Sequence, residues 1–294
     1  MSRRILILGA KGQVGTELQR SFAGSGDVTA WDRATADLSR PESLRTLLRS
    51  LRPDVILNAA AYTAVDRAES EPELAMTING GAPGVLAEEA SKSGALLVHY
   101  STDYVFDGSK QSPWVETDST GPLNVYGQSK LAGERAIEAA GGRYLIFRTS
   151  WVYGAHGHNF LRTMLRLGAE RDQLTIVDDQ FGAPTSSAAI ADATRAIVDK
   201  ALLDEPVPGV YHMTCGGKTT WCRFAEEIFA QNRQQSGNTE PKVIPISSAD
   251  YRTPARRPSN SVLSNEKMWS AFEVSLPDWK PALRAVMSAL ADER

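Results

Sequence analysis

Cysteine is scarce in this chain: Cys215 and Cys222 are the only two among 294 residues. Two cysteines cannot build a disulfide framework, and the four histidines are scattered without the short spacings of a metal site. The sequence therefore predicts that both cysteines are reduced packing residues and that no metal is bound.

Long apolar runs and a strong excess of one charge are also missing. The apolar run after Arg4 has four residues before Gly9, short of the roughly 7 to 15 residues of a signal-peptide core. No later run approaches the ~18 apolar residues of a membrane span. The net charge is only −3, so no basic surface for nucleic acid is indicated. We therefore expect a cytoplasmic protein without a membrane or nucleic-acid partner.

Short apolar segments alternate with helical patterns over the first half of the chain. This alternation predicts an α/β fold with a Rossmann-like, doubly wound parallel sheet. The predicted strands are Ile5–Leu8, Val28–Trp31, Val55–Leu57, Leu96–Tyr100 and Leu145–Arg148. The predicted helices are Val14–Phe22, Glu42–Leu51, Glu73–Ser93 and the segment that carries Tyr126 and Lys130.

After residue 151 strand patterns become fewer, and proline and polar residues cluster. We expect residues 1–150 to form the dinucleotide-binding domain and residues 151–294 to form mainly a smaller, mixed substrate-binding region. Within residues 183–212, Ala183–Ala201 and Gly209–His212 are expected to return to the main sheet. Three further helices are predicted at Asn159–Gly168, Ala188–Lys200 and Thr220–Gln235, and a mobile loop at Gln234–Glu240.

A glycine-rich turn joins the first predicted strand to the first helix. Gly9 permits the tight turn, Gly12 lets the backbone approach a pyrophosphate, and Gly15 allows close packing of helix and strand. The free N–H groups of the helix N-terminus then face the phosphates. The sequence predicts a dinucleotide site here, although the spacing is Gly-x-x-Gly-x-x-Gly rather than Gly-x-Gly-x-x-Gly.

The end of the second predicted strand leaves the choice of cofactor open. Asp32 is suited to hydrogen-bond the adenosine ribose and favour NADH, whereas Arg33 is suited to neutralise a 2′-phosphate and favour NADPH. Asp37 and Leu38 are expected near the adenine. The small residues of Asn58–Thr63 would let a cofactor lie against the backbone, but small residues also simply pack helices closely.

Tyr126 and Lys130 stand four residues apart in a predicted helix, and therefore on one helix face. A nearby ammonium group lowers the pKa of a phenol, so Lys130 is expected to make Tyr126 a usable proton donor. Ser101-Thr102 closes the fourth predicted strand and adds a hydroxyl for a substrate carbonyl. The set indicates ketone reduction by a nicotinamide cofactor, and a capping turn is the alternative for Ser101-Thr102.

Several segments together resemble the extended short-chain dehydrogenases, and within them the reductases of dTDP-4-dehydro sugars. The segments are Gly12–Gly15, Asn58–Asp66, Ser101–Phe106, Tyr126–Lys130, Arg148–Tyr153, Gln180–Thr185, Thr219–Trp221 and Arg257–Ser261. The resemblance spans nearly the whole chain. It implies reduction of the C4 ketone of dTDP-4-dehydro-β-L-rhamnose to dTDP-L-rhamnose by NADPH or NADH, with the nucleotide sugar as partner.

The resemblance also implies residue roles. Catalysis falls to Tyr126 as proton donor, to Lys130, which lowers its pKa and holds the nicotinamide ribose, and to Thr102, which orients the ketone. The implied cofactor contacts are Gly9, Gly12, Gln13, Val14, Gly15, Asp32, Arg33, Asp37, Leu38, Ala61, Tyr62, Thr63, Tyr126 and Lys130. The implied substrate contacts are Thr102, Asp103 and Trp151 at the sugar and Arg257 at the diphosphate, which a guanidinium binds with two hydrogen bonds. A packing role for Trp151 and a solvated surface position for Arg257 are the alternatives.

Some proteins similar to this one pair as homodimers through carboxylates that bind Mg²⁺. Glu17 matches one such position, but Ala188 stands where a second acidic residue is expected, and alanine cannot ligate the ion. We therefore expect no metal-bridged dimer, and a homodimer without the metal stays open. Two other functions also stay open: a different sugar-nucleotide reductase or epimerase, and a non-catalytic dinucleotide-binding regulator.

Overall fold

The computed structural model describes residues 2–204, 207–236 and 240–292. The strands are β1 (Arg4–Leu8), β2 (Asp27–Trp31), β3 (Val55–Asn58), β4 (Leu96–Thr102), β5 (Arg143–Thr149), β6 (Val152–Tyr153), β7 (Gln173–Val177), β8 (Phe181–Gly182), β9 (Thr185–Ser186), β10 (Gly209–His212), β11 (Thr219–Thr220) and β12 (Lys242–Ile246). The helices are α1 (Gln13–Ser21), α2 (Pro41–Leu51), α3 (Val65–Ala68), α4 (Pro72–Met76), α5 (Ala82–Ser93), α6 (Val125–Ala140), α7 (Phe160–Glu170), α8 (Ser187–Ala201), α9 (Trp221–Ser236), α10 (Glu266–Phe272) and α11 (Trp279–Asp292).

Six parallel strands form the central sheet in the order β10-β5-β4-β3-β1-β2. The predicted Rossmann-like fold class is confirmed. The central strands β3 and β4 are buried on both faces, as a parallel sheet covered by helices requires, whereas the edge strand β2 is only partly buried. The last strand, β10, pairs with β5 and therefore belongs to this sheet.

Helices cover the two faces of the sheet and form two apolar cores. On one face α5 lies between α2 and α6, and its core includes Leu86, Ile137 and Ile146. On the other face α1 packs against α8, in a core that includes Leu18 and Ile197. The carboxyl ends of the strands therefore open between these layers, where ligands of such sheets bind.

The predicted helix Glu73–Ser93 is not uniform. It consists of α4, one π-helical turn over Thr77–Gly81, and α5. The π turn contains Asn79, whose side chain is buried, followed by Gly80 and Gly81. Extra residues of this kind inside a helix are frequent at functional sites. The apolar pattern of this segment did not predict the π turn.

The second half of the chain adds α7, α9, α10 and α11 and three two-stranded sheets: β12 with β7, β11 with β8, and β6 with β9. The division into cofactor-binding and substrate-binding regions stays a prediction. The predicted loop Gln234–Glu240 is wrong over residues 234–236, which belong to α9, and residues 237–239 lie outside the described residues. Within the described ranges, no helix combines the length and the hydropathy that crossing a membrane demands.

Candidate active site

A cleft of about 660 Å³ opens at the carboxyl edge of the sheet. Its lining comes from the glycine turn, the ends of β2 and β3, the end of β4 and the start of α6. Most predicted cofactor-binding residues lie on this lining: Gly9, Gly12, Gln13, Val14, Asp32, Arg33, Asp37, Leu38, Ala61, Tyr62, Thr63, Tyr126 and Lys130. Gly15 is instead buried beneath the turn.

The glycine turn has the close contacts for which glycine is needed. Gly9 has a φ of +81°, and a Cβ atom there would lie 2.8 Å from the backbone nitrogen of Ala60. A Cβ atom on Gly15 would lie 2.0 Å from the carbonyl oxygen of Gly9. Gly12 is the N-cap of α1, so the first N–H groups of that helix point into the cleft. The turn is built as an anion-binding cradle.

Two buried polar atoms beside this cradle test whether a dinucleotide fits. Across the described residues, Gln13 Oε1 and Thr149 Oγ1 are buried without a hydrogen-bond partner, and both residues line the cleft. An unpaired buried polar atom costs free energy, so such atoms are normally satisfied by a ligand or water. The amide oxygen and the hydroxyl therefore fit a polar ligand of the length of NADPH or NADH along this edge.

The charges at the end of β2 interact with each other. Lys11 Nζ lies 2.5 Å from Asp32 Oδ2, and the hydrogen bond from Lys11 lowers the pKa of the Asp32 carboxyl. The backbone N–H of Ala34 also donates to Asp32 Oδ1, at 3.0 Å. Arg33 is exposed and lies 3.7 Å from Asp37. Lys11 thus adds a second cation beside Arg33, and the cofactor preference stays open.

Tyr62 and its neighbours are held in place by Asn79 of the π turn. Asn79 Oδ1 accepts from the Tyr62 N–H at 2.8 Å, and its Nδ2 donates to the Tyr62 carbonyl at 3.0 Å and to Ser129 Oγ at 3.0 Å. Ser129 belongs to α6, so one amide ties the loop after β3 to the helix that carries Tyr126. Asn79 was not among the predicted residues, and only a recognised π turn would have marked it.

Tyr126 lies in the first turn of α6, which is positioned by a cap and by close packing. Asn124 Oδ1 accepts from the Gly127 N–H at 2.8 Å. A Cβ atom on Gly127 would lie 2.2 Å from the carbonyl oxygen of Tyr104, so this turn sits directly on the segment after β4. The Tyr104 and Tyr126 rings meet edge to face at 5.6 Å. This packing brings Tyr126 next to Thr102.

Burial raises the pKa of Tyr126 to about 12, while a side-chain hydrogen bond with Thr102 acts in the opposite direction. The sequence predicted a lowered pKa. That prediction is wrong in direction, because Lys130 Nζ hydrogen-bonds with His99 and the Tyr100 carbonyl instead and does not offset the lost hydration of a phenolate. Tyr126 is therefore a fully protonated phenol at neutral pH, which is the state a proton donor needs.

Lys130 takes part in a buried group of three side chains, which we call the lysine trio: Asn58, His99 and Lys130. Asn58 Nδ2 lies 3.0 Å from His99 Nδ1, and His99 Nε2 lies 3.1 Å from Lys130 Nζ. Lys130 Nζ also donates to the Tyr100 carbonyl at 2.6 Å. Burial lowers the pKa of Lys130 to about 8, while the charge of Glu134 acts in the opposite direction.

One turn further along α6 lies a second buried group, the glutamate trio: Ser101, Glu134 and Arg148. Arg148 donates to Glu134 from Nε at 3.0 Å and from Nη2 at 2.6 Å. Ser101 Oγ donates to Glu134 Oε1 at 2.5 Å. All three residues are buried. This ion pair joins α6 to both β4 and β5 beneath the cleft.

Asp103 is buried behind Thr102, whose hydroxyl donates to Asp103 Oδ1 at 3.1 Å. Burial raises the pKa of the carboxyl to about 7, against the effect of the Ser261 and Thr102 hydroxyls beside it. Among the residues that the structure describes, no group hydrogen-bonds Asp103 Oδ2. The carboxyl group therefore has a free acceptor next to the catalytic candidates.

Trp151 follows β5 with a φ of +48°, which is rare for a residue other than glycine. Its ring stacks on Trp221 at 3.6 Å and lies against Gly182, where a Cβ atom would be 2.4 Å away. Thr149 and Val152 on either side line the cleft, but Trp151 does not. The packing role is therefore observed, and the substrate contact stays a prediction.

Arg257 also lies off the cleft lining. Its Nη2 donates to Asp66 Oδ2 at 2.9 Å and its Nη1 to Asp66 Oδ1 at 3.2 Å, so the guanidinium group binds this carboxylate with both arms. Arg257 is not the freely solvated surface residue of the alternative. The two guanidinium N–H groups that would bind a diphosphate donate to Asp66 instead. The diphosphate contact stays a prediction.

The carboxylate of Glu17 is paired with an arginine. Arg20 Nε lies 2.7 Å from Glu17 Oε2, and Arg20 Nη2 lies 2.7 Å from Asp192 Oδ1. In the described part of the chain no group of three or more metal-ligating side chains is found. A guanidinium group thus sits between the acidic residues of α1 and α8, and the residues present do not fit a bound Mg²⁺.

Comparison with known proteins identifies the family. The model of the RmlD substrate binding domain family matches residues 3–291. A dTDP-4-dehydrorhamnose reductase of Burkholderia thailandensis is 51% identical over 287 residues, which cover 95% of this chain and 96% of that protein. The crystal structure of a dTDP-4-dehydrorhamnose reductase from Clostridium acetobutylicum has a TM-score of 0.91 at 36% identity, with 98% of this chain and 99% of that chain covered.

A third relative was crystallised with a cofactor. The dTDP-4-dehydrorhamnose reductase of Bacillus anthracis, in complex with NADP, has a TM-score of 0.89 at 34% identity and covers 98% of this chain and 100% of its own. The matches therefore span both the sheet and the second half of the chain. This chain belongs to the RmlD substrate binding domain family, together with the dTDP-4-dehydrorhamnose reductases.

Proposed function

We propose that this protein reduces the C4 ketone of dTDP-4-dehydro-β-L-rhamnose to dTDP-L-rhamnose with NADPH or NADH. The observation that carries the proposal is that Tyr126 and Lys130 lie on the lining of the same cleft as the glycine turn, and that Thr102 hydrogen-bonds with Tyr126. The relatives in the family that are 51% and 46% identical to this chain are named for this reduction.

In this assignment the nicotinamide, when bound, supplies the hydride. Tyr126 donates its proton to the oxygen of the former ketone, and it can do so at neutral pH because its phenol stays protonated. Thr102, which hydrogen-bonds with Tyr126, orients the carbonyl oxygen toward that proton. Lys130 is proposed to hold the nicotinamide ribose, and in its ammonium state it adds a positive charge to the cleft that Tyr126 also lines.

The other contacts follow from position. Gly9, Gly12, Gln13 and Val14 are proposed to hold the pyrophosphate, and Asp32, Arg33, Asp37 and Leu38 the adenosine end. Asp103 is proposed to accept a hydrogen bond from a sugar hydroxyl, because its Oδ2 is a buried acceptor without a partner in the described residues. Trp151 and Arg257 are proposed at the outer end of the sugar nucleotide, where small movements would have to release them from Trp221 and Asp66.

Purified protein tests the function directly. The assay follows absorbance at 340 nm with dTDP-4-dehydrorhamnose generated in situ and with NADPH or NADH in parallel. We expect stoichiometric oxidation of the cofactor and dTDP-L-rhamnose as the product on chromatography. An epimerase would show no net oxidation, and a regulator would bind cofactor without turnover. Either result, with substrate supply verified, would contradict the proposal.

Location and assembly are part of the same proposal. We propose a cytoplasmic enzyme, because both of its substrates, the reduced dinucleotide and the nucleotide sugar, are intracellular metabolites. We propose that a homodimer of this protein, if one forms, contains no bridging metal, because Arg20 already neutralises the carboxylates of Glu17 and Asp192. Light scattering with and without EDTA measures the mass and its independence of divalent metal.

A further inference from the structure

The lysine trio is assembled by strand register. Asn58 at the end of β3 pairs with His99 of β4 in the parallel ladder, so both side chains project from the same face of the sheet. Lys130 of α6 covers that face. The exposed fractions of the three residues are 1%, 1% and 2%. Water therefore does not compete for their hydrogen bonds, and each donor must meet an acceptor.

The donors and acceptors of the trio are interdependent. Burial lowers the pKa of His99 well below its ordinary value, so the imidazole is neutral and has one N–H and one bare nitrogen. With the Asn58 amide nitrogen at Nδ1, that ring nitrogen must accept. The ring proton is then on Nε2, which faces Lys130 Nζ at 3.1 Å. A neutral Lys130 amine can accept a hydrogen bond from this N–H, and an ammonium group cannot.

A half-turn of the Asn58 amide reverses the two hydrogen bonds that join Asn58 to His99 and His99 to Lys130. Asn58 Oδ1 then accepts from an Nδ1–H, and Nε2 accepts from a Lys130 ammonium. The half-turn gives up the hydrogen bond that Oδ1 accepts from the Ala60 N–H, which at 3.3 Å is a long one, and places Nδ2 there instead. The imidazole carries one proton in both states. The ammonium state holds one more proton, on Nζ, taken up from the cleft that Lys130 lines.

We propose that Asn58 and His99 are positioning residues that couple the charge of Lys130 to the tautomer of His99. The amine state has the ring proton on Nε2, and the ammonium state has it on Nδ1. The consequence for catalysis rests on the proposed reduction: the ammonium state supplies the charge beside Tyr126, and the amine state does not. The coupling itself does not depend on that function, because it concerns the enzyme without substrate.

The charged neighbours determine the direction of the pH effect. Glu134 favours the ammonium and is itself bound to Arg148, while burial favours the amine. Tyr126, one turn earlier on α6, stays protonated through the relevant range because its pKa is about 12. Since the pKa of Lys130 is about 8, the amine state increases as the pH rises through that value. Turnover should fall over the same range.

NMR of protein labelled with ¹³C and ¹⁵N in histidine tests the coupling, since ring shifts distinguish the two tautomers. The chain has four histidines, and His99→Gln identifies the His99 signal. We expect a neutral His99 that changes from the Nδ1–H to the Nε2–H tautomer with a midpoint near the alkaline limb of kcat. A single tautomer from pH 6 to 10 in the unmodified protein would overturn the proposal.

Asn58→Asp gives the decisive variant. A carboxylate accepts but cannot donate, so His99 should keep its proton on Nδ1 at every pH, and the alkaline limb should move up by about one pH unit. The matched control Asn58→Leu removes the amide without fixing a tautomer. The alkaline limb of its kcat profile should move less than that of Asn58→Asp. A lower Tm with an unmoved tautomer and limb would show a structural role only and contradict the proposal. Tautomer coupling without turnover would overturn the proposed function and leave the coupling intact.

Discussion

The lysine trio and the glutamate trio occupy the same face of the sheet, one turn of α6 apart, and behave differently. In the glutamate trio a carboxylate that only accepts meets a guanidinium and a hydroxyl that donate, so one arrangement satisfies every bond to Glu134. In the lysine trio the cation meets a carbonyl and an imidazole that can donate or accept. The paired charge holds the helix in place, and the cation without such a pair is available for chemistry.

Tyr126→Phe should separate the chemical role of this face of α6 from its structural role most strongly. We expect kcat to fall by roughly 10²- to 10⁴-fold, because the proton donor is lost. The glutamate trio is untouched, so the free energy of unfolding should hardly change. Steady-state kinetics and urea denaturation measure both, and cofactor titration by fluorescence should match the unmodified protein. Turnover within threefold of that protein would refute the proton-donor role.

Glu134→Gln should produce the next largest effect, on stability. The substitution leaves Arg148 buried without its partner charge, which costs about 3–5 kcal/mol of unfolding free energy. The double variant Glu134→Leu with Arg148→Met removes both charges and should recover most of that loss. Lys130→Met provides the comparison in the lysine trio, where turnover should collapse with little loss of stability. Equal destabilisation by Glu134→Gln and Lys130→Met would erase the distinction between the trios.

Asp32→Ala lies at the far end of the cleft and should leave both trios unchanged. It removes the negative charge that Lys11 contacts and leaves two cations for a 2′-phosphate. We expect the ratio of kcat/KM for NADPH over NADH to rise by about tenfold. Arg33→Ala is the matched control and should lower the ratio. The model of an electrostatic selector fails if both variants move the ratio in the same direction.

Local pattern predicted the elements of the sheet well. Ile5–Leu8, Val28–Trp31 and Leu96–Tyr100 were each located within a residue or two, because runs of apolar residues between helices are typical of a buried parallel strand. The glycine turn was located for the same reason, since its strand, turn and helix are contiguous. The π turn at Thr77–Gly81 was missed, because the prediction of Glu73–Ser93 assumed one uniform helix.

The spacing of Tyr126 and Lys130 determined, by sequence alone, that the two side chains share one face of a helix. Only the tertiary structure decided what that face meets: the Tyr104 ring packs on Tyr126, whose burial raises its pKa, and Lys130 hydrogen-bonds with His99 and the Tyr100 carbonyl. Asn58 and His99 are 41 residues apart, and Arg257 and Asp66 are 191 apart. Pairs this distant depend on strand register and chain path, which no local pattern encodes, and the charge state of a buried group depends on what those pairs exclude.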